Sequence, residues 1–266
     1  MEYKDLILEK REHIATMTLN RPDRLNALSP NLVEEIIAAV EELKGDDDIR
    51  VLIITGAGRG FCSGADLSAS AEGALLMSKS SRKERLTPLH RFGKLGACLP
   101  NFDKPVIGAI NGPAVGAGFA FALGCDIRIA SELASFSAIF IRRALVPDTG
   151  ISYLLPRIVG ISRACELVLT GDIIDAREAD RIGLVSRVVP HDQLMSTARE
   201  LALKLAKNAP ITSQLAKRGI YRSLANNLTS QLDYEAWSHD LVESTEDREE
   251  GVRAFLEKRE PEFKGY

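Results

Sequence analysis

Cysteine is scarce. The four in 266 residues, Cys62, Cys98, Cys125 and Cys165, are scattered, with no CxxC pair and no nearby histidine. Neither a zinc site nor a disulfide framework is indicated, and buried reduced thiols in a cytoplasmic protein are expected. Long apolar runs are missing as well. Nothing approaches the roughly 18 consecutive apolar residues of a membrane-spanning helix. The charged opening, MEYKDLILEKREH, has no long apolar core, so no secretory signal is expected. An excess of one charge sign is also absent: 34 basic residues stand against 37 acidic ones, a net charge of −3. With no basic patch interleaved with aromatics, there is no footing for a nucleic-acid partner or an anionic membrane. There is no internal repeat and no low-complexity linker. What is present, 45% hydrophobic and 27% charged residues, suits one large soluble domain, or one plus a small appendage.

Asp5 to Lys10 and His13 to Leu19 read as two short strands around charged turn residues. Ser29-Pro30 starts a helix, with serine as cap and proline in the first turn. Leu32, Val33, Ile36, Ile37, Val40 and Leu43 continue it at helical period. The run Arg50 to Thr55, RVLIIT, predicts a strand buried on both faces. A helix is expected over 82–98, and Pro105 to Ile110 and Cys125 to Ala130 read as strands. Everything after about Ile151 reads as helix. Strands alternating with helices in the first half predict an α/β core with parallel character.

Two glycine-rich loops follow two of these strands. The first is Gly56-Ala57-Gly58-Arg59-Gly60-Phe61-Cys62-Ser63-Gly64-Ala65-Asp66-Leu67. The second is Asn111-Gly112-Pro113 running into Gly116-Ala117-Gly118 and a small-residue helix. In a parallel sheet both loops emerge on one side, so their backbone N–H groups can converge on one oxygen. Helix starts leave amides without internal partners, and small residues let a ligand approach them. Read alone, Gly-Ala-Gly equally lets a helix pack closely on a strand. A dinucleotide loop is disfavoured, because Phe121 occupies the place of the third glycine in GxGxxG.

Four segments carry a resemblance. LNRPDRLNAL at 19–28, VLIITGAGRGFCSGADL at 51–67, AINGPAVGAGFAFALGCDIRIAS at 109–131, and the stretch 155–190 beginning LPRIVG and ending SRVVP together resemble the crotonase family of enoyl-CoA hydratases and isomerases. The resemblance implies a crotonase-like α/β spiral of ββα units over 1–195 that holds an acyl-CoA site. It also implies a helical C-terminal region over 196–266 that assembles a homo-trimer or hexamer. It implies no cofactor beyond the coenzyme A of the substrate. The two amides that hold the thioester oxygen map to Ala65 and Ala117; many members have glycine at the second position, and the amide donor is the same. Arg24, Ser63, Asp66, Leu67 and Gly118 map to substrate contacts. Phe263 and Lys264 match a tail that packs near the adenine, sometimes from a neighbouring subunit.

The hydratases of this family activate water with two glutamates, and those positions map to Ala120 and Phe140. Neither side chain has a proton to give or a lone pair to accept one. Asp148, in Val146-Pro147-Asp148-Thr149-Gly150, remains. Read alone it is a turn residue. The ring-epoxide and dienoyl-CoA isomerases are similar in carrying an acid there, and so is a chlorobenzoyl-CoA dehalogenase, which has tryptophan where this chain has Phe140. The resemblance therefore implies proton shuttling through Asp148, with Phe140 facing the acyl group. An atypical hydratase, a dehalogenase-like hydrolase and a non-catalytic acyl-CoA-binding oligomer are the alternatives. His90, Arg142, Arg143 and Glu132 are weaker candidates, read as surface or salt-bridging residues.

Overall fold

The computed structural model describes residues 3–66 and 91–266. Leu67, His90 and the first part of the helix expected over 82–98 lie outside the described residues. The chain begins with a hairpin, β1 (Leu6–Arg11) and β2 (Ile14–Leu19), paired antiparallel so that Leu6 faces Leu19 and Arg11 faces Ile14. Its two turn residues, Glu12 and His13, both have positive φ, 54° and 63°, as a two-residue hairpin turn requires. Helix α1 (Pro30–Lys44) starts where expected: the Ser29 hydroxyl accepts from the Leu32 amide at 3.1 Å and Pro30 opens the first turn. Such a cap contributes about 1 kcal/mol.

Then come β3 (Val51–Gly56), α2 (Arg91–Cys98), β4 (Val106–Ile110), β5 (Pro113–Val115), α3 (Ala117–Leu123), β6 (Ile127–Ser131) and β7 (Ser135–Ser137). A 3-10 turn, Ile139–Arg143, leads to α4 (Ile151–Val159), α5 (Ile161–Thr170), β8 (Ile173–Asp175), α6 (Ala176–Arg181) and β9 (Arg187–Val189). Four helices finish the chain: α7 (Leu194–Ala206), α8 (Pro210–Ser223), α9 (Leu228–Glu243) and α10 (Glu246–Glu257).

The larger sheet runs β1-β2-β3-β4-β6-β9 and is parallel from β2 onward; the smaller runs β5-β7-β8. All six residues of β3 are buried, as RVLIIT predicts. Because side chains alternate across a strand, the larger sheet feeds two cores. Ile14, Val51, Ile53, Ile107, Ala109 and Ile129 face Leu194, Ala198, Ala202 and Ala206 of α7. The intervening Leu52, Ile54, Val106, Ile110 and Ala130 join α1 and α3 in the main core. Each large aliphatic side chain so buried contributes about 1.5–3 kcal/mol.

The expectation of helix throughout the second half is corrected by β8 and β9. Each is only three residues long. A strand that short shows no readable alternation, and pairing to the edges of the two sheets makes it a strand. The same holds for β5 and β7, which the sequence pattern did not mark as strands. The C-terminal helices are tied to the sheet by a buried ion pair: Lys217 Nζ on α8 meets Asp126 Oδ2 at 2.8 Å, and Tyr221 donates to Asp126 Oδ1 at 2.8 Å. Burial lowers the Lys217 pKa, and Asp126 opposes that shift.

Candidate active site

The two glycine-rich loops do come together. The Phe61 and Cys62 amides donate to Pro113 O at 3.1 and 3.0 Å, and Val115 donates back to Cys62 O at 2.9 Å. This pairing lays residues 61–65 along β5 just before α3 begins. Gly64 has φ +92°, and a Cβ there would lie 2.7 Å from Val115 O and 3.6 Å from the Ala117 nitrogen. The peptide carrying Ala65 therefore lies against the start of α3. Among the described residues, neither the Ala65 N–H nor the Ala117 N–H donates to a protein acceptor. Ala117 is 4% exposed, so its amide is withdrawn from bulk water.

The glycines on either side of Ala117 have different causes. Gly116 has φ +55° and only Ile139 Cγ2 near its missing Cβ, at 3.7 Å, so its backbone conformation requires glycine. At Gly118 the requirement is space: a Cβ would meet Cys62 O at 2.3 Å. Close packing and an open amide thus share one segment, and Gly118 serves the packing. Burial pushes the Cys62 thiol up to about 12, which keeps it protonated and unreactive as a nucleophile.

Two buried asparagines, neither singled out from the sequence, hold the first loop. Asn111 accepts from the Gly56 amide at 3.2 Å and donates to Gly56 O and Gly58 O, both at 2.9 Å. Asn26 donates to Ala57 O at 2.9 Å and Gly60 O at 2.8 Å. Arg21, also unforeseen, pairs with Asp66 at 2.9 Å. Asn-Gly and Arg-Pro look like ordinary turn chemistry in sequence, and nothing local marks them as staples for a loop some 30 to 55 residues away.

Asp148 stands just before α4, which packs on α3. The residue is exposed by area, yet its carboxyl is crowded enough that desolvation raises its pKa, against a lowering hydrogen bond from the Thr149 hydroxyl at 2.8 Å. Ala120 and Phe140 are 1% and 5% exposed and belong to the main core, which also holds the ring pairs Phe61–Phe121 and Phe119–Phe136.

Arg24 and Ser63 are brought together: the Ser63 hydroxyl donates to Arg24 O at 3.2 Å, with the Arg24 side chain exposed. Phe263 and Lys264 are not brought to this place within one chain. Arg50 donates to Phe263 O at 2.8 Å, and Asp247 accepts from the Lys264 amide at 2.7 Å. Arg50 precedes β3, whereas the loop follows it, so a strand of roughly 20 Å separates the two. Arg142 pairs with Asp172 and donates to Thr170 O at 3.1 Å, and Glu132 is exposed. Among the described residues no cluster of three metal-binding side chains occurs, and no helix is long and apolar enough to cross a membrane.

Comparison with known proteins bears on this arrangement. The profile described as Enoyl-CoA hydratase/isomerase matches residues 9–266. The chain belongs to the enoyl-CoA hydratase/isomerase family. Its members are enzymes acting on acyl-CoA thioesters, and the fold is that of crotonase, with two sheets and a helical C-terminal region. The crystal structure of an enoyl-CoA hydratase from Bacillus anthracis superposes with a TM-score of 0.90 at 36% identity, covering 99% of this chain and 100% of that one. The 1,2-epoxyphenylacetyl-CoA isomerase of Escherichia coli K12 is 39% identical over 255 residues, 95% of each chain. The 2,3-dehydroadipyl-CoA hydratase of the same organism is 38% identical over 261 residues, 98% of this chain and 99% of that protein. Hydratases and isomerases of the family stand at nearly equal identity, so the acids must separate them.

Proposed function

We propose that this chain isomerises a double bond in an acyl-CoA thioester, with Asp148 moving the proton and the amides of Ala65 and Ala117 holding the thioester oxygen. The observation that carries the reading is the acid inventory. Positions 120 and 140 hold buried apolar side chains, while Asp148 keeps a carboxyl whose pKa is raised by desolvation. A carboxyl shifted toward neutrality accepts and returns a proton more readily than a fully solvated one.

The chemistry follows from charge. Loss of a proton beside the carbonyl puts negative charge on the thioester oxygen. Two fixed amides at that oxygen stabilise the enolate, and one such donor is worth about 10²–10³ in rate. Asp148 then returns the proton at another carbon of the conjugated chain. Arg24, with Ser63 beside it, meets the phosphates of coenzyme A, and the backbone of 63–66 lines the pantetheine. Phe263 and Lys264 serve the adenine of a neighbouring subunit in a trimer, because their own tail is fastened at the far end of β3.

Incubation with a 3-enoyl-CoA in deuterated water, following the α and γ positions, tests this. Exchange and isomerisation are expected, and both are lost in Asp148→Asn with coenzyme A affinity retained. Isomerisation surviving in Asp148→Asn refutes the role of the carboxyl. No exchange with any acyl-CoA leaves only an acyl-CoA-binding role.

A further inference from the structure

Thr149 has a backbone that threonine rarely adopts. Its φ is +53°, in the left-handed region that a β-branched side chain avoids. It is 3% exposed and is followed by Gly150, also left-handed at φ +83°. The neighbour that confines it is Gly96 on α2: a Cβ at Gly96 would lie 2.5 Å from Thr149 O and 3.1 Å from Thr149 Cα. The helix thus lies directly on the Thr149 peptide. Strain of this kind persists only where the surroundings over-determine it, and it clusters at functional sites.

The hydroxyl so placed donates to Asp148 Oδ1 at 2.8 Å. Oδ2 accepts no hydrogen bond among the described residues. The turn is closed by the Ile151 amide, which donates to Asp148 O at 3.1 Å. Among the described residues, one carboxylate oxygen is therefore occupied and the other has no donor.

We propose that Thr149 is a positioning residue for Asp148: confined by Gly96, its hydroxyl occupies Oδ1 and leaves Oδ2 as the oxygen that carries the proton. This rests on the reading of Asp148 given above. In the step, Oδ2 takes a proton from the carbon next to the thioester. The C–H electron pair moves into the dienolate, whose charge rests on the thioester oxygen. The dienolate then recovers the proton from Oδ2–H at its γ carbon, so nothing is gained or lost overall. A carboxylate free to rotate would present either oxygen and would have to be ordered at each turnover.

The charged groups on the packed elements do not compete for this role. On α2, Arg91 pairs with Glu34, and Lys94 is exposed. On α4, Arg157 stacks on the Tyr153 ring, 3.6 Å from its centre. In the preceding turn, Arg142 pairs with Asp172, and Arg143 is exposed. Among the described residues, desolvation and the Thr149 hydroxyl act on the Asp148 carboxyl.

Thr149→Val keeps the shape and removes the donor; Thr149→Ser keeps the donor. Isomerisation of a 3-enoyl-CoA is measured against pH for both, beside wild type and Asp148→Asn. Expected for Thr149→Val is a kcat lower by roughly 10- to 100-fold, an unchanged KM, and an acid limb moved to higher pH. Thr149→Ser keeps the limb and most of kcat. If Thr149→Val does not fold, Thr149→Ala takes its place. An acid limb that stays put while kcat falls, or a serine variant no better than valine, overturns the proposal. Full activity in Asp148→Asn sinks the underlying reading instead, whereas an inactive Asp148→Asn with an unmoved limb in Thr149→Val sinks this inference alone.

Discussion

Replacing Gly118 by alanine tests the coupling between packing and the amide pair. The new Cβ would stand 2.3 Å from Cys62 O and 2.7 Å from Cys62 Sγ. Real Cβ atoms essentially never come closer than 3.0 Å, so α3 or the 61–65 loop must withdraw by at least about 0.7 Å. Ala117 is the residue before, and its amide moves with the helix. A donor set at an ideal distance of about 2.9 Å would then lie beyond about 3.5 Å, where an N–H···O bond is effectively gone. Loss of one such donor lowers kcat about 10²–10³-fold. Because the interaction is made mainly in the transition state, kcat and kcat/KM fall together. Overpacking costs about 1–3 kcal/mol, a drop in Tm of roughly 2–12 °C for a chain of this size. The assays are isomerisation kinetics with a 3-enoyl-CoA, coenzyme A binding and thermal unfolding. The nearest clash is with a backbone oxygen, so adding Cys62→Ala should not restore the rate. A folded Gly118→Ala enzyme with kcat within about threefold of wild type, or rescue by Cys62→Ala, refutes the reasoning.

Asn111→Ala should cost roughly 2–6 kcal/mol in urea unfolding, because the Gly56 amide and carbonyl lose their buried partner and each unsatisfied group costs about 1–3 kcal/mol. A loss below about 1 kcal/mol would show that water replaces the side chain. Asp148 makes a pH prediction with a definite sign. Its folded pKa is raised by desolvation, so between the unfolded value of about 3.9 and the higher folded value the native state holds more protons than the unfolded one. Stability is fully present below the unfolded pKa and is lost as pH rises through the folded pKa. Asp148→Asn should therefore match wild-type Tm at the acid end and exceed it at neutral pH, as it loses activity. Thermal scans across pH check this, and a variant less stable than wild type at pH 7 contradicts it.

Much of the fold is legible in the chain. Ser29-Pro30 and the periodic residues to Leu43 mark α1, and RVLIIT marks a strand buried on both faces. These signals are local: a cap, a period and an apolar run each act within a few residues. The three-residue strands β5, β7, β8 and β9 were not legible, since pairing across the sheets decides them. For the site, the motifs at 51–67 and 109–131 point to Ala65 and Ala117. Asn26, Asn111 and Arg21, which hold the loop beside them, pass for turn residues because their partners are distant in sequence. Phe263 and Lys264 match a tail motif, but Arg50 and Asp247 decide where that tail lies.

The amino-acid sequence by itself determined the α/β class, the family, and the absence of acids at 120 and 140, because these depend on residue identity and local pattern. Only the tertiary structure decided that Gly118 answers to the Cys62 carbonyl, that Asn111 closes the Gly56 loop, and that Thr149 is confined by Gly96 against the Asp148 carboxyl. Each of these is a contact between segments far apart in the chain. Its sign depends on tenths of an ångström, which no one-dimensional pattern records.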